Sequence, residues 1–241
     1  MEEYNPFGRK MLDMFEGRRD DLLEMERDDG YIDELGLGEY FADYDDFPVC
    51  EKDALERVKG RVLDIGLGPG RVSLHLQSKG FEVFGIDLTS EAVQVARRRG
   101  VLHAARMSAC ELGFAKSMFD TAILFGNNFG LCGSPERVVD MLAALRDIVT
   151  DDGVVLAESI DHTDTDKPAH LAYTRMNVER GRLPGQIVIR NRYKGAVGDW
   201  FELLLVTPEE MRALAAQAGW RIERLLSAQG RCLSRSCARP R

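Results

Sequence analysis

Residues 61–70 read RVLDIGLGPG, an apolar run that gives way to glycine at three alternate positions. Val62, Leu63 and Ile65 are the aliphatic residues that a parallel strand buried on both faces uses. Gly66, Gly68 and Gly70 then leave main-chain amides uncovered, so a ligand can touch the backbone itself. Working outward, the amphipathic stretch Arg71 to Lys79 stops at Gly80 and predicts a helix. A second strand, Phe81 to Ile86, ends in Asp87, whose carboxylate can accept both hydrogen bonds of a ribose diol. Each such charge-assisted bond contributes about 1.5–3 kcal/mol. The unit is therefore expected to hold an adenosine-type ligand.

The glycine spacing narrows the ligand further. A dinucleotide fingerprint needs G-x-G-x-x-G, with the third glycine allowing close helix–strand packing beside the pyrophosphate. Counting from Gly66, that position is Arg71, and Pro69 removes one N–H from the loop. A nicotinamide-dependent oxidoreductase is thus the weaker reading. Strand and helix go on alternating. Ser90 to Arg99 is a helix ending at Gly100, Val101 to Met107 a strand, and Thr121 to Gly126 a fourth, apolar strand. Ser134-Pro135-Glu136 offers an N-cap, an N1 proline and a first-turn acid for the next helix. Asp151-Asp152-Gly153 turns into a fifth strand, Val154 to Ala157. The pattern predicts an α/β fold with a Rossmann-like, doubly wound, mostly parallel sheet. Its expected strand order is 3-2-1-4-5, counted from the glycine-loop strand, with C-terminal strands added. At the switch point of such a sheet, Asn127, Asn128 and Glu158 to Asp161 rim one crevice.

Three alternate glycines, Asp64 inside the preceding strand and Asp87 at the end of the next one resemble the class I S-adenosylmethionine-dependent methyltransferases. The resemblance covers about Val62 to Leu226. It implies that Gly66, Gly68 and Gly70 pass under the methionine part of S-adenosyl-L-methionine, with Asp64 in the same cofactor-binding motif. It implies also that Asp87 holds the ribose, that Leu88 packs on the adenine, and that Ser108 and the Ala109 N–H face the adenine edge. Ser108 departs from the pattern, since many members carry aspartate there. The implied activity is in-line methyl transfer to a small-molecule acceptor, with S-adenosyl-L-homocysteine as product. Asn127 and Asn128 would hold the methionine end or orient the acceptor, and a turn-forming role is the alternative. An aminopropyltransferase, with Glu158 and Asp161 forming an acidic polyamine pocket, and a non-catalytic binding module of the same fold are the rival readings.

Methyl transfer from a sulfonium needs mainly positioning. If the acceptor carries a proton, Glu158, Asp161, His162 and Tyr193 are the candidates to take it, with His170 nearby. His75 and His103 read as ordinary core or surface residues. No H-x-E, H-E-x-x-H or paired Cys/His spacing supports a metal. The cysteines at 50, 110, 132, 232 and 237 are scattered and lack a C-x-x-C, so reduced thiols are expected.

The chain of 241 residues is 44% hydrophobic and 30% charged, enough for one large core with appended elements. It contains neither a bilayer-length apolar run nor a basic, apolar leader, so no membrane partner and a cytoplasmic location are expected. Residues 1–60 carry a net charge of −11 against −8 for the whole chain, which leaves +3 for the remainder. Nucleic acid is not expected as a partner, because a clustered basic stripe is missing. The acidic segment 1–58 reads as an N-terminal helical cap, in which Tyr40 or Tyr44 is a candidate to reach the site. The expected core spans 59–228. Within it, residues 183–206 alternate and turn as a β-hairpin over the acceptor, preceded by a polar, mobile lid at 161–182. The tail, 229–241, carries four arginines in Gly230 to Arg241 and reads as irregular. The core would then lack a last strand, and the bare edge would invite a homodimer.

Overall fold

The computed structural model describes residues 5–18, 21–228 and 231–238. In chain order, α1 (Pro6–Phe15), β1 (Leu23–Arg27), β2 (Ile32–Leu35) and α2 (Val49–Leu55) precede the core. The core runs β3 (Val62–Ile65), α3 (Arg71–Ser78), β4 (Val83–Asp87), α4 (Ser90–Arg99), β5 (His103–Arg106), β6 (Phe119–Leu124), α5 (Pro135–Ile148) and β7 (Val149–Ile160). Next come α6 (Pro168–Glu179), β8 (Gln186–Tyr193), β9 (Ala196–Val197) and β10 (Phe201–Leu204). The described chain closes with α7 (Pro208–Gln217), β11 (Arg221–Ala228) and β12 (Arg231–Ala238).

The main sheet has seven strands in the order β11-β12-β7-β6-β3-β4-β5. Its five central and edge strands β5, β4, β3, β6 and β7 pair in parallel, which is the expected doubly wound order. β3 is buried along its whole length, as its Val-Leu-Asp-Ile sequence requires of a strand covered on both faces. Helix α5 begins as its sequence foretells, with the Ser134 side chain accepting from the Arg137 N–H and Pro135 at the first turn. Its Val138, Met141, Leu142, Leu145 and Ile148 enter the largest core cluster, together with Phe119, Phe129 and Trp220. No helix among the described residues is long and apolar enough to cross a membrane.

Three expectations are corrected. The irregular tail is, over Arg231–Ala238, a strand lying antiparallel between β7 and β11. A strand inserted between two others is held by main-chain bonds on both sides, and residues 231–238 contain neither proline nor glycine to interrupt them. The edge thought to be bare is therefore filled, and the argument for dimerisation built on it falls. Residues 229–230 and 239–241 of that tail lie outside the described residues. Second, the N-terminal cap is only partly helical: β1 and β2 join β8 and β10 in a separate antiparallel sheet, order β10-β8-β1-β2, with β9 on β8. The alternation of Leu23, Met25 and Arg27 is brief and charge-rich, and its pairing partner lies more than 160 residues away. Third, the polar segment before the hairpin carries helix α6, anchored rather than lid-like. Tyr173 is 3% exposed and donates to Asp28 at 2.6 Å, while the Asn177 amide donates to the carbonyls of Pro184 and Gln186.

The second sheet forms a roof docked at two places. At one side α1 meets the start of α4, where a Cβ on Gly8 would come within 2.5 Å of Thr89. At the other, β10 presses on the loop after β6, where a Cβ on Gly130 would fall 1.8 Å from the Leu204 carbonyl. The docking sites follow β4 and β6, the two neighbours of β3, so the roof bridges the loop that leaves β3.

Candidate functional site

The loop after β3 folds onto β4, with the Gly66 and Leu67 N–H groups both donating to the Ile86 carbonyl. Gly66 and Gly68 have φ of +72° and +53°, a left-handed conformation that side chains resist. A Cβ on Gly66 would lie 2.4 Å from Asn128 Nδ2, and one on Gly68 would meet only the Tyr40 ring at 3.5 Å and Met11 at 4.0 Å. Gly70 has a different task. Its missing Cβ admits Val101 at 2.6 Å and lets α3 pack close to α4.

Asp87 closes the other side of the loop. One carboxylate oxygen accepts the Gly68 N–H at 2.9 Å and the other the Thr89 N–H at 2.8 Å. The Thr89 hydroxyl also bonds this carboxylate, and the lone pair capacity left beyond these bonds is what a ribose hydroxyl needs. Burial pushes the Asp87 carboxyl up from its ordinary value, and the Thr89 and Gly68 amides offset part of that. Leu88 beside it is 62% exposed and offers an open apolar face. Ser108 and Ala109 follow β5 on the far rim, and the Ser108 hydroxyl oxygen accepts the Cys110 N–H at 3.1 Å.

Asp64 sits beneath the loop instead of on its face. It is 4% exposed and accepts the Ser73 hydroxyl at 2.6 Å, tying β3 to α3, so its expected place among the cofactor contacts becomes a supporting one. Burial raises its carboxyl to about 6, partly offset by Ser73 and Arg71. Arg71, at the first turn of α3, pairs with the fully buried Glu51 of α2 through two bonds of 2.6 and 2.7 Å. Its guanidinium also lies over the Phe47 ring at 4.5 Å.

A family model described as a methyltransferase domain matches residues 62–153. A crystal structure of an S-adenosylmethionine-dependent methyltransferase from Bacteroides fragilis, in complex with S-adenosyl-L-homocysteine, aligns with a TM-score of 0.81. The two are 27% identical, and the alignment covers 98% of this chain and 95% of that one. The chain is similar to the class I S-adenosylmethionine-dependent methyltransferases, in sequence over residues 62–153 and in fold over nearly its whole length. The Bacillus subtilis methyltransferase candidate YqeM is 27% identical over 103 residues, and the match spans 41% of that protein's length. A Methanosarcina mazei member shares the fold at a TM-score of 0.65 and 19% identity, over 80% of this chain and 99% of that one.

The remaining candidates divide sharply. Asn128 Nδ2 donates to the carbonyls of Ile65 and Gly66, which fixes its amide against the glycine loop. Asn127, at φ +72°, accepts from the Ser159 hydroxyl and the Ile160 N–H, clamping the ends of β6 and β7 together. Three of the proposed proton acceptors are engaged in structure. Glu158 is fully buried and accepts the Gly126 N–H at 2.7 Å. Asp161 turns back onto Thr163 through two bonds to Oδ1. Tyr193 faces the roof interior and donates to Asp13 at 3.0 Å. His162 is different, with Nε2 lying 3.1 Å from Glu210.

Tyr40 covers Gly68, whereas Tyr44 stacks on His75 with ring centroids 3.9 Å apart, well outside the loop. His103 stacks on Phe84 at 4.8 Å. Cys110 and Cys132 form a disulfide between the loops after β5 and β6, with Cα atoms 5.8 Å apart, so the expectation of reduced thiols is corrected for this pair. Cys50 is buried and outside any disulfide. Sequence reasoning missed the partners Glu51, Ser73 and Glu210. Only Glu210 had a local signal, the T-x-x-E spacing from Thr207 that closes a capping box at the start of α7.

Proposed function

We propose that the chain transfers the methyl group of S-adenosyl-L-methionine to a small-molecule acceptor. The observation that carries this reading is the pair formed by the bare, left-handed Gly66–Gly68 bend and Asp87, whose carboxylate lies against that bend and accepts the Gly68 N–H. The residues present fit such a cofactor. Asp87 would grip the ribose, Leu88 and the Ser108–Ala109 turn would flank the adenine, and the Gly66–Gly68 backbone with Asn128 would line the methionine end. When bound, the cofactor supplies a methyl group on a sulfonium, already joined to a good leaving group. The protein's part is alignment: holding an acceptor in line at about 3 Å can supply roughly 7–11 kcal/mol of the barrier.

A small acceptor is favoured by the roof, which bridges the glycine loop from α4 to the loop after β6. The rival aminopropyl reading has lost its residues, since Glu158 is buried on the Gly126 amide and Asp161 is folded onto Thr163. The non-catalytic reading leaned on the aberrant tail and on Ser108; the tail is a sheet strand over Arg231–Ala238, which leaves Ser108 as its support. Calorimetric titration with S-adenosyl-L-homocysteine and with decarboxylated S-adenosylmethionine tests the proposal. Micromolar binding of the first and markedly weaker binding of the second is expected. The reverse preference would restore the aminopropyl reading, and binding of neither would end both.

A further inference from the structure

We infer that the Cys110–Cys132 bond is a thiol–disulfide switch on cofactor affinity: the closed bond holds the adenine flank in its binding position, and the opened bond releases it. This rests on the methyltransferase reading above. The bond joins two loops that each touch the cofactor-binding frame. In the loop after β5, the Met107 N–H donates to the Asp87 carbonyl, and Cys110 follows directly on the Ser108–Ala109 turn, donating its own N–H to the Ser108 hydroxyl. Cys132 lies in the loop after β6, four residues beyond Asn128, whose amide is bonded to the carbonyls of Ile65 and Gly66.

Without this bond the two loops are unequally held. The loop after β6 is pinned along its length: Asn128 fixes one end to the glycine loop, and the rest lies under β10. A Cβ on Gly130 would strike the Leu204 carbonyl, and one on Gly133 would come within 2.5 Å of Glu202. The loop after β5 runs over residues 107–118 without helix or strand. Among the described residues, its hydrogen bonds to the rest of the chain lie at its two ends, from the Met107 N–H to Asp87 and from the Ser117 N–H to the Asp147 carbonyl. Between those ends it has the apolar contacts of Ala109, Leu112 and Phe114 with the core, and the disulfide. Opening the bond returns backbone freedom to this stretch, and a ligand that needs the turn in place must remove it again. Ordering about one residue's backbone corresponds to about tenfold in affinity.

The two sulfurs differ in access. Cys132 is 1% exposed and belongs to the core, whereas Cys110 is half-buried, so a reductant meets Cys110 first. With a dithiol, one reductant thiolate bonds to Cys110 Sγ as the Cys110–Cys132 bond breaks; the electron pair leaves on Cys132 Sγ, which takes up a proton. The second reductant thiolate then bonds to the first reductant sulfur, and Cys110 departs with the electron pair and a proton. The protein has gained two electrons and two protons, the dithiol has become a disulfide, and an excess of that disulfide reverses both steps. Because the two states bind the cofactor unequally, the cofactor must in turn shift the thiol–disulfide equilibrium by the same factor.

Calorimetric titration of the full chain with S-adenosyl-L-homocysteine, in excess oxidised and then in excess reduced dithiothreitol, reads the switch. Alkylation and peptide mass at residues 110 and 132 report the state of the pair in each buffer. The dissociation constant should rise about tenfold on reduction, with the far-ultraviolet circular dichroism unchanged. At a fixed ratio of the two dithiothreitol forms, saturating S-adenosyl-L-homocysteine should raise the oxidised-to-reduced ratio of the pair by about the same factor. C110A should bind at the weaker level in both buffers, and C110S takes its place where C110A does not fold. The switch is overturned by equal affinity in both buffers, by a pair that stays reduced in oxidised dithiothreitol, or by one that resists reduced dithiothreitol in the folded chain. Loss of the folded spectrum on reduction, or a C110A chain that still responds to the buffer, overturns it as well. Absence of binding in both buffers defeats the methyltransferase reading itself, whereas tight binding that ignores the redox state defeats the switch alone.

Discussion

Two fully enclosed carboxylates, one in each part of the molecule, are perturbed in opposite directions. Asp64, under the glycine loop, has one short bond from Ser73, and burial drives its carboxyl up to about 6. Asp13, in the roof, is also out of reach of solvent, yet burial is outweighed there by donors from Arg18, Lys194 and Tyr193, which hold it well below the usual carboxylate range. The roof is stabilised by a satisfied charge; the loop carries a charge that burial disfavours. The contrast separates a region whose buried charge is matched by donors from one whose buried charge is not.

The contrast breaks most readily at Asp13. Asp13→Asn should lower unfolding free energy by about 2–3 kcal/mol at pH 7, the worth of charge-assisted bonds. Because its folded pKa is depressed, this stabilisation is present above the unfolded value of 3.8 and is lost as pH falls towards the folded one. Urea melts at pH 7 and pH 3 read both; an unchanged pH 7 midpoint would mean the cluster stabilises nothing. Next in size, Asp87→Ala should weaken S-adenosyl-L-homocysteine binding by roughly tenfold or more, since two ribose bonds go. Calorimetry showing full affinity would put the ligand elsewhere. The smallest effect has the opposite sign. Asp64→Asn should raise stability at pH 7.5 by on the order of 1 kcal/mol, after the lost Ser73 bond is set against a shift of about two units. A raised folded pKa makes the charge costly only above the unfolded value of 3.8, with the full cost reached above about 6. The gain in Tm should therefore vanish near pH 4, and a gain independent of pH would assign it to something other than the carboxylate.

The same division governs what was legible in the sequence. The cofactor side is written locally: an apolar run, alternate glycines and an acid at the next strand end lie within residues 62–87, and the structure assembles them by parallel pairing alone. The roof side draws on β1, β8, α6 and α7, and its contacts, Tyr173 to Asp28 or His162 to Glu210, join residues 145 and 48 positions apart. No period in the chain announces such pairs. β1 and β2 were hidden because strands of four or five residues rich in charge bury too little apolar area to show alternation. β12 was hidden because arginine counts describe side chains, whereas the insertion is made by the main chain. The Cys110–Cys132 bond was hidden for a third reason: the two loops meet only because β5 and β6 end on the same side of the sheet.

The placement of β12 also constrains how the chain is made. Both of its neighbours, β7 and β11, are synthesised before it, and β11 ends at Ala228, just ahead of Arg231 where β12 begins. During translation the nascent sheet must therefore wait with the β7 rim unpaired until a later segment emerges and slides into the gap. Ribosome-stalled chains halted before residue 231 should accordingly be the species most prone to capture by chaperones.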